Sequence, residues 1–110
     1  MPHIIVEYSK NLDAIMPELL IALRDALGEL DGIEPERLKL RAIGYTHCVV
    51  GNKGAGAEML HICLQLLSGR DVPTRTLYGQ TLHKVLKAYA PQGCSVTLEV
   101  RDMDRETYCL

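Results

Sequence analysis

The sequence contains no tryptophan and no phenylalanine, so its five tyrosines are the only large aromatic side chains available for packing. It also lacks an apolar run of the length needed to cross a membrane and the charged, then apolar, then cleavable pattern of a signal peptide. No block of Lys and Arg is present, and the formal net charge is -2. These absences predict a cytoplasmic protein that binds neither membranes nor nucleic acids.

The four cysteines and four histidines are dispersed along the chain. No two cysteines have CxxC spacing, and without a secretory signal we expect reduced thiols. Cys63 and Cys94 lie in apolar runs and should pack as small hydrophobic residues. No histidine pair has helical i, i+4 spacing with a third ligand nearby, so the sequence predicts no metal site.

Hydrophobic periodicity predicts a strand and then a helix in the first part of the chain. His3 to Tyr8 is rich in β-branched residues and predicts a strand. Between Leu12 and Leu27, apolar residues recur at steps of three and four and predict one buried helix stripe. Pro17 interrupts that stripe, so either it lies in the first turn or an earlier turn kinks there. Asn11 and Asp13 are the candidate N-caps.

Three more strands and a central turn follow from the same patterns. We predict strands over Leu38–Val50, Met59–Leu67 and Cys94–Val100. Gly51–Gly56 has several glycines and a lysine but not the Walker spacing, so it is interpreted as a flexible turn. Ser68–Asp71 predicts a second turn.

The second helix should present an apolar face between Leu77 and Tyr89. Asp71 or Thr74 can cap it, with a proline in its first turn. The charged tail Arg101–Glu106 is expected to be solvated, whereas Tyr108–Leu110 is apolar enough to dock on a neighbour.

The order strand–helix–strand therefore occurs twice, and it predicts a single α+β domain over residues 1–110 with halves near 1–52 and 53–110. Two βαβ units with right-handed crossovers give a four-stranded sheet with both helices on one face. No further element is large enough to cover the other face, which predicts self-association.

Pro2 is the most informative residue for chemistry. An initiator Met before a small residue is commonly removed, and its removal would leave Pro2 with a free secondary amine. An α-amino group titrates at about 7.7–8.0, and burial or nearby cations lower that pKa. Such an amine can act as a general base or nucleophile near neutral pH. The alternative is a stiff chain end without a chemical role.

The opening Pro2-His3-Ile4-Ile5-Val6-Glu7 resembles the tautomerase superfamily, and within it the 5-carboxymethyl-2-hydroxymuconate isomerase branch. The chain length, the two βαβ units, a basic stretch in the second strand and the Gly69-Arg70 turn are also similar. The resemblance implies a homotrimer whose sheets face inward as a barrel. It further implies enol–keto isomerisation of a small carboxylate in aromatic compound catabolism, without metal or organic cofactor.

The resemblance also implies roles for individual residues. Pro2 would be the general base, and Arg70 would bind a substrate carboxylate. Paired arginines in the second strand of the branch fall on Lys39 and Arg41, which would bind carboxylates too. A lysine keeps the charge but loses the planar fork of arginine, so Lys39 departs from the pattern. The alternatives are a solvated strand face for Lys39 and Arg41 and a simple turn residue for Arg70.

Two other functions stay open. One is decarboxylation or hydration within the same superfamily, with the proline acting as a cationic acid. The other is a non-catalytic oligomeric binding protein with the same fold. Retention of Met1 would block the amine and favour the second.

Overall fold

The computed structural model describes residues 1–110, which form four strands and two α-helices in the predicted order. The elements are β1 (His3–Ser9), α1 (Met16–Gly28), β2 (Lys39–Tyr45), β3 (Met59–Leu67), α2 (Val72–Tyr89) and β4 (Ser95–Met103). Two short 3₁₀ segments precede α1 and β2, at Lys10–Ile15 and Pro35–Arg37. Neither α-helix combines the length and the apolar content that a membrane span requires.

The strands form one mixed sheet in the order β2-β1-β3-β4. Within each βαβ unit the strands are parallel, as a helical crossover requires, and the two units meet through the antiparallel pair β1–β3. This arrangement confirms the predicted α+β fold, with two βαβ units in a four-stranded sheet.

The hydrophobic core lies between one face of this sheet and the two helices. Alternate residues of β1 and β3 are buried, and so are the inner stripes of α1 and α2. Ten side chains are completely enclosed: Ile4, Val6, Leu19, Leu23, Leu27, Ile62, Leu64, Leu66, Leu82 and Leu86. Burying each stabilises the fold by about 1.5–3 kcal/mol relative to leaving it in water, so this layer fixes both helices on one face.

The other sheet face is uncovered and carries hydrogen-bonded polar side chains. On it the Tyr45 hydroxyl donates to the Glu7 carboxylate. His61 lies 3.4 Å from a Glu99 oxygen, and Arg101 donates to the other Glu99 oxygen at 2.8 Å. An interface on this face would therefore be largely polar.

Two strands end at residues other than those predicted, and in both cases the neighbouring strand explains the difference. β2 stops at Tyr45 rather than Val50, because its only partner, β1, ends opposite it at Ser9. β4 continues past Val100 to Met103, because β3 supplies a partner as far as Leu67. Residues 101–103 therefore belong to β4, while five of the six residues of Arg101–Glu106 are exposed, as predicted.

The start of α1 also differs from the prediction. Neither Asn11 nor Asp13 is the N-cap, because both lie in the preceding 3₁₀ segment and the cap position is Ile15. The Asp13 carboxylate instead accepts a hydrogen bond from the Tyr8 hydroxyl. Pro17 occupies the first turn, which is the first of the two predicted placements.

The start of α2 agrees with the prediction. Of the two candidate caps, Asp71 is the one used, and its carboxylate accepts a hydrogen bond from the Thr74 amide at 2.9 Å. A proline lies in the first turn, where no backbone N–H is needed.

Candidate functional site

Four chain segments converge at the end of the sheet where β1 begins. Because β1 and β2 are parallel, the loop before β2 lies there too, and the Lys39 amide donates to the Pro2 carbonyl at 3.1 Å. Because β3 is antiparallel to β1, its carboxyl end reaches the same place. The end of β4 lies alongside, with Met103 opposite Leu67. The topology thus surrounds Pro2 with loop residues from both halves of the chain.

A cleft of about 180 Å³ opens at this end of the sheet. Around the Met1-Pro2 segment it is lined by Gly32, Glu34, Arg37, Leu67, Arg70 and Arg105. Pro2 also lines it and is a buried residue. Three guanidinium groups against one carboxylate make the cleft positively charged, and such a cleft attracts small anions.

Arg70 is held firmly at the cleft. It follows Gly69, whose φ of 127° is a backbone conformation that glycine adopts without strain. Its Nη2 donates to the Gly32 carbonyl at 3.1 Å and its Nη1 to the Leu67 carbonyl at 3.4 Å. The guanidinium carbon lies 5.8 Å from the ring centroid of Tyr78. Each Nη carries two hydrogens, so each has one left for a ligand.

Two other arginines at the cleft were not selected from the sequence. Arg37 pairs through Nε with a Glu34 oxygen at 2.7 Å. Arg105 donates from Nε to the Ser68 carbonyl at 2.9 Å, and its amide donates to the Ser68 hydroxyl at 3.2 Å. Arg105 lies two residues beyond the end of β4. Because β4 pairs with β3 as far as Leu67, the length of β3 in the sequence was the signal that could have placed Arg105 at this end of the sheet.

The terminal amine lies in a positive environment. Partial burial, and then the charges of Lys39 and Arg37, lower the pKa of the Met1 α-amino group from its ordinary value of 8.0. Glu34 acts in the opposite direction, and Arg70 adds a smaller lowering effect. A larger fraction of this amine is therefore neutral near pH 7, and a neutral amine can accept a proton.

Arg41 lies on the uncovered sheet face beside His3. Its Nη1 is 3.1 Å from His3 Nδ1, and His3 Nε2 is 2.8 Å from the Tyr108 hydroxyl. A guanidinium can only donate, so Nδ1 accepts and the neutral ring carries its proton on Nε2. Burial, and then the charges of Arg41 and Lys39, lower the pKa of His3 and favour that neutral ring.

Of the four residues predicted from the sequence, Pro2 and Arg70 line the same cleft. Lys39 adjoins it through its backbone bond to Pro2 and through its charge. Arg41 is not among the lining residues of a single chain. The Tyr78 ring lies beside the Arg70 guanidinium group at the edge of this cleft.

Comparisons with known proteins identify a family. Residues 2–109 match the model of the family described as 5-carboxymethyl-2-hydroxymuconate isomerase. A search of curated proteins found no significant match.

Solved structures show the same fold. The chain is similar to a 5-carboxymethyl-2-hydroxymuconate isomerase from Deinococcus radiodurans R1, with a TM-score of 0.87 and 23% identity, covering 99% of this chain and 87% of that chain. A 5-carboxymethyl-2-hydroxymuconate delta-isomerase gives a TM-score of 0.83 at 20% identity, with 100% and 87% covered. A fused 4-OT asymmetric trimer gives 0.72 at 16% identity, with 98% and 91% covered.

Proposed function

We propose that this chain, which belongs to the 5-carboxymethyl-2-hydroxymuconate isomerase family, interconverts the enol and keto forms of a small unsaturated carboxylate. In this proposal Pro2 is the general base. Membership of the family makes the chain an isomerase. The observation that carries the more specific proposal is the cleft in which Pro2 and Arg70 lie together.

Removal of Met1 would expose the secondary amine of Pro2 in this cleft. The burial and the cations that lower the pKa of the Met1 amine would act on the Pro2 nitrogen as well, since Pro2 is itself buried. Both effects disfavour the ammonium form. A larger fraction of the amine would then be neutral near pH 7, and the neutral form is the one that can act as a base.

The proton moves from oxygen to carbon in the proposed reaction. The amine takes the proton of the enol hydroxyl, and the electrons of that O–H bond form the C=O double bond. The electrons of the C=C bonds shift along the conjugated chain to the carbon that is then protonated. The resulting ammonium returns a proton to that carbon, so no atom is gained or lost. The remaining N–H groups of Arg70 hold a substrate carboxylate, and the positive cleft stabilises the dienolate.

The second-strand cations have different places in this proposal. Lys39 helps keep the amine neutral, because its charge lies close to the chain end. Arg41 remains a predicted carboxylate ligand, although the geometry of one chain leaves it on the uncovered sheet face. The reaction as written needs no metal and no organic cofactor.

The test is the replacement Pro2→Ala, preceded by an intact-mass measurement that establishes whether Met1 is removed. Turnover of 2-hydroxydienoates and phenylenolpyruvate should fall by about 100-fold or more, since a positioned base contributes 10²–10⁴-fold. Pro91→Ala, in an exposed loop, is the matched control and should keep full activity. Undiminished turnover by the Pro2 variant, or a chain that retains Met1 and is fully active, would overturn the proposed mechanism.

The pH dependence separates a base from an acid. With Pro2 as the base, kcat/KM should rise as pH increases through the pKa of the amine and then level off. A proline acting as a cationic acid, as in the decarboxylase or hydratase alternative, would give a fall over the same range.

We also propose that the chain assembles as a homotrimer. One sheet face is uncovered, and the edge strands β2 and β4 each have a free side. Ile43 and Tyr45 on β2 are 53% and 40% exposed on this face, and another chain packed there would remove their apolar surface from water. Structures with the same fold include fused 4-OT trimers.

A further inference from the structure

Arg105 differs from the other two arginines of the cleft in how many of its guanidinium N–H groups remain available to a ligand. Arg37 is paired with the Glu34 carboxylate, so its charge is largely offset. Arg70 gives one hydrogen from each Nη to a backbone carbonyl. Arg105 uses only Nε, in its bond to the Ser68 carbonyl, and neither of its Nη atoms has a hydrogen-bond partner in the protein.

The backbone fixes Arg105 in place. Ser68 and the end of β4 share three hydrogen bonds: the Ser68 amide to the Met103 carbonyl at 2.8 Å, and the two bonds from Arg105 to Ser68. Ser68 is only two residues from Arg70. Both guanidinium groups are therefore positioned by the same turn, and both line the cleft beside Pro2.

A guanidinium held at Nε with both Nη atoms free presents a planar pair of donors. This geometry matches the two oxygens of a carboxylate, and Arg–carboxylate pairs of this kind are among the strongest hydrogen bonds in proteins. We propose that Arg105 binds a second carboxylate of the substrate while Arg70 binds the first. This inference rests on the proposed isomerase function and assigns a specificity-determining role to the segment after β4.

The test compares two substrates that react in the same way but differ in charge. A 2-hydroxydienedioate has carboxylates at both ends, whereas the matching 2-hydroxydienoate has one. In Arg105→Gln, kcat/KM for the first should fall about 10- to 100-fold, the range expected for a lost charge-assisted contact. The value for the second should change less than about threefold.

Two further variants separate binding from structure. Arg105→Lys keeps the charge but not the fork, so it should recover part of the activity toward the dicarboxylate. Arg24→Gln removes an exposed arginine of α1 that pairs with Asp25, and it should behave as wild type. Equal losses on both substrates in Arg105→Gln would show a structural role and overturn the inference, as would no loss on either.

A binding experiment distinguishes failure of this inference from failure of the proposed function. Fumarate is a dicarboxylate that cannot tautomerise, and its binding can be followed by calorimetry against acetate as the monocarboxylate. If the wild type converts neither enol, the isomerase proposal fails, yet fumarate binding that is lost in Arg105→Gln would still support Arg105. If the wild type is active and Arg105→Gln binds fumarate normally, only the Arg105 inference fails.

Discussion

Replacing Tyr78 by Phe should destabilise the protein by about 1 kcal/mol, because it removes one buried hydrogen bond and little else. Tyr78 is 2% exposed, and its hydroxyl donates to the Asp31 carbonyl at 2.6 Å. That bond ties α2 to the turn that carries Gly32, whose carbonyl accepts a hydrogen bond from Arg70. Tyr78 therefore joins the core to the cleft.

The magnitude follows from what the substitution keeps. The ring stays, so the apolar burial is unchanged and no cavity of the kind left by a change to Ala forms. A hydrogen bond contributes about 0.5–1.5 kcal/mol net, and an acceptor left buried and unpaired costs about 1–3 kcal/mol. Asp31 is an exposed turn residue and the bond is only partly buried, so the lower range applies. For a chain of this size, about 1 kcal/mol lowers Tm by about 4 °C.

Urea unfolding and calorimetry of the two proteins measure this loss directly. Tyr89→Phe is the matched control, because Tyr89 stands on the same helix and its hydroxyl has no hydrogen-bond partner in the protein. That variant should unfold within about 0.5 kcal/mol of wild type. If Tyr78→Phe were as stable as this control, the hydroxyl would not tie the turn to α2. A loss above about 3 kcal/mol would show that the ring itself had repacked.

Two further predictions concern the amine and the assembly. Lys39 is the charged residue that most lowers the pKa of the terminal amine. Replacing it in Lys39→Gln should therefore raise that pKa and move the rising limb of the kcat/KM–pH profile to higher pH. The control Lys84→Gln removes an exposed lysine of α2 and should leave the profile unchanged, and identical profiles for the two variants would refute the electrostatic argument. Light scattering at assay concentration should give three times the 12.2 kDa chain mass, whereas a mass of one chain would contradict the proposed trimer.

The fold could be predicted from the sequence because its core pattern is regular. Every second residue of Met59–Leu67 faces the helices, and the stripe that begins at Leu12 supplies the facing helix surface. The positions of the strand ends could not be predicted in the same way. Residues beyond Tyr45 have strand-like composition, but β1 offers them no partner, and a strand without hydrogen-bonding neighbours has no stable ladder.

The candidate site was predicted only in part, for a related reason. Pro2 was identified from its position after the initiator Met and Arg70 from the family resemblance, and both line the cleft. Arg37 and Arg105 lie in segments without hydrophobic periodicity, far apart in the chain. They meet because strand order and direction bring the start of β1, the loop before β2 and the ends of β3 and β4 together. No local pattern contains that information.

Arg41 shows what strand alternation does and does not determine. Its two-residue spacing from Lys39 predicts a shared sheet face, and both residues are exposed on the uncovered face. Two residues along a strand also separate them by about 6.6 Å, which carries Arg41 away from the end where Pro2 lies. Arg41 instead donates to His3, the residue that follows Pro2, and His3 in turn donates to Tyr108. Within one chain, Arg41 therefore fixes the ring of His3 and the C-terminal segment, while the cations close to the amine are those at the end of the sheet.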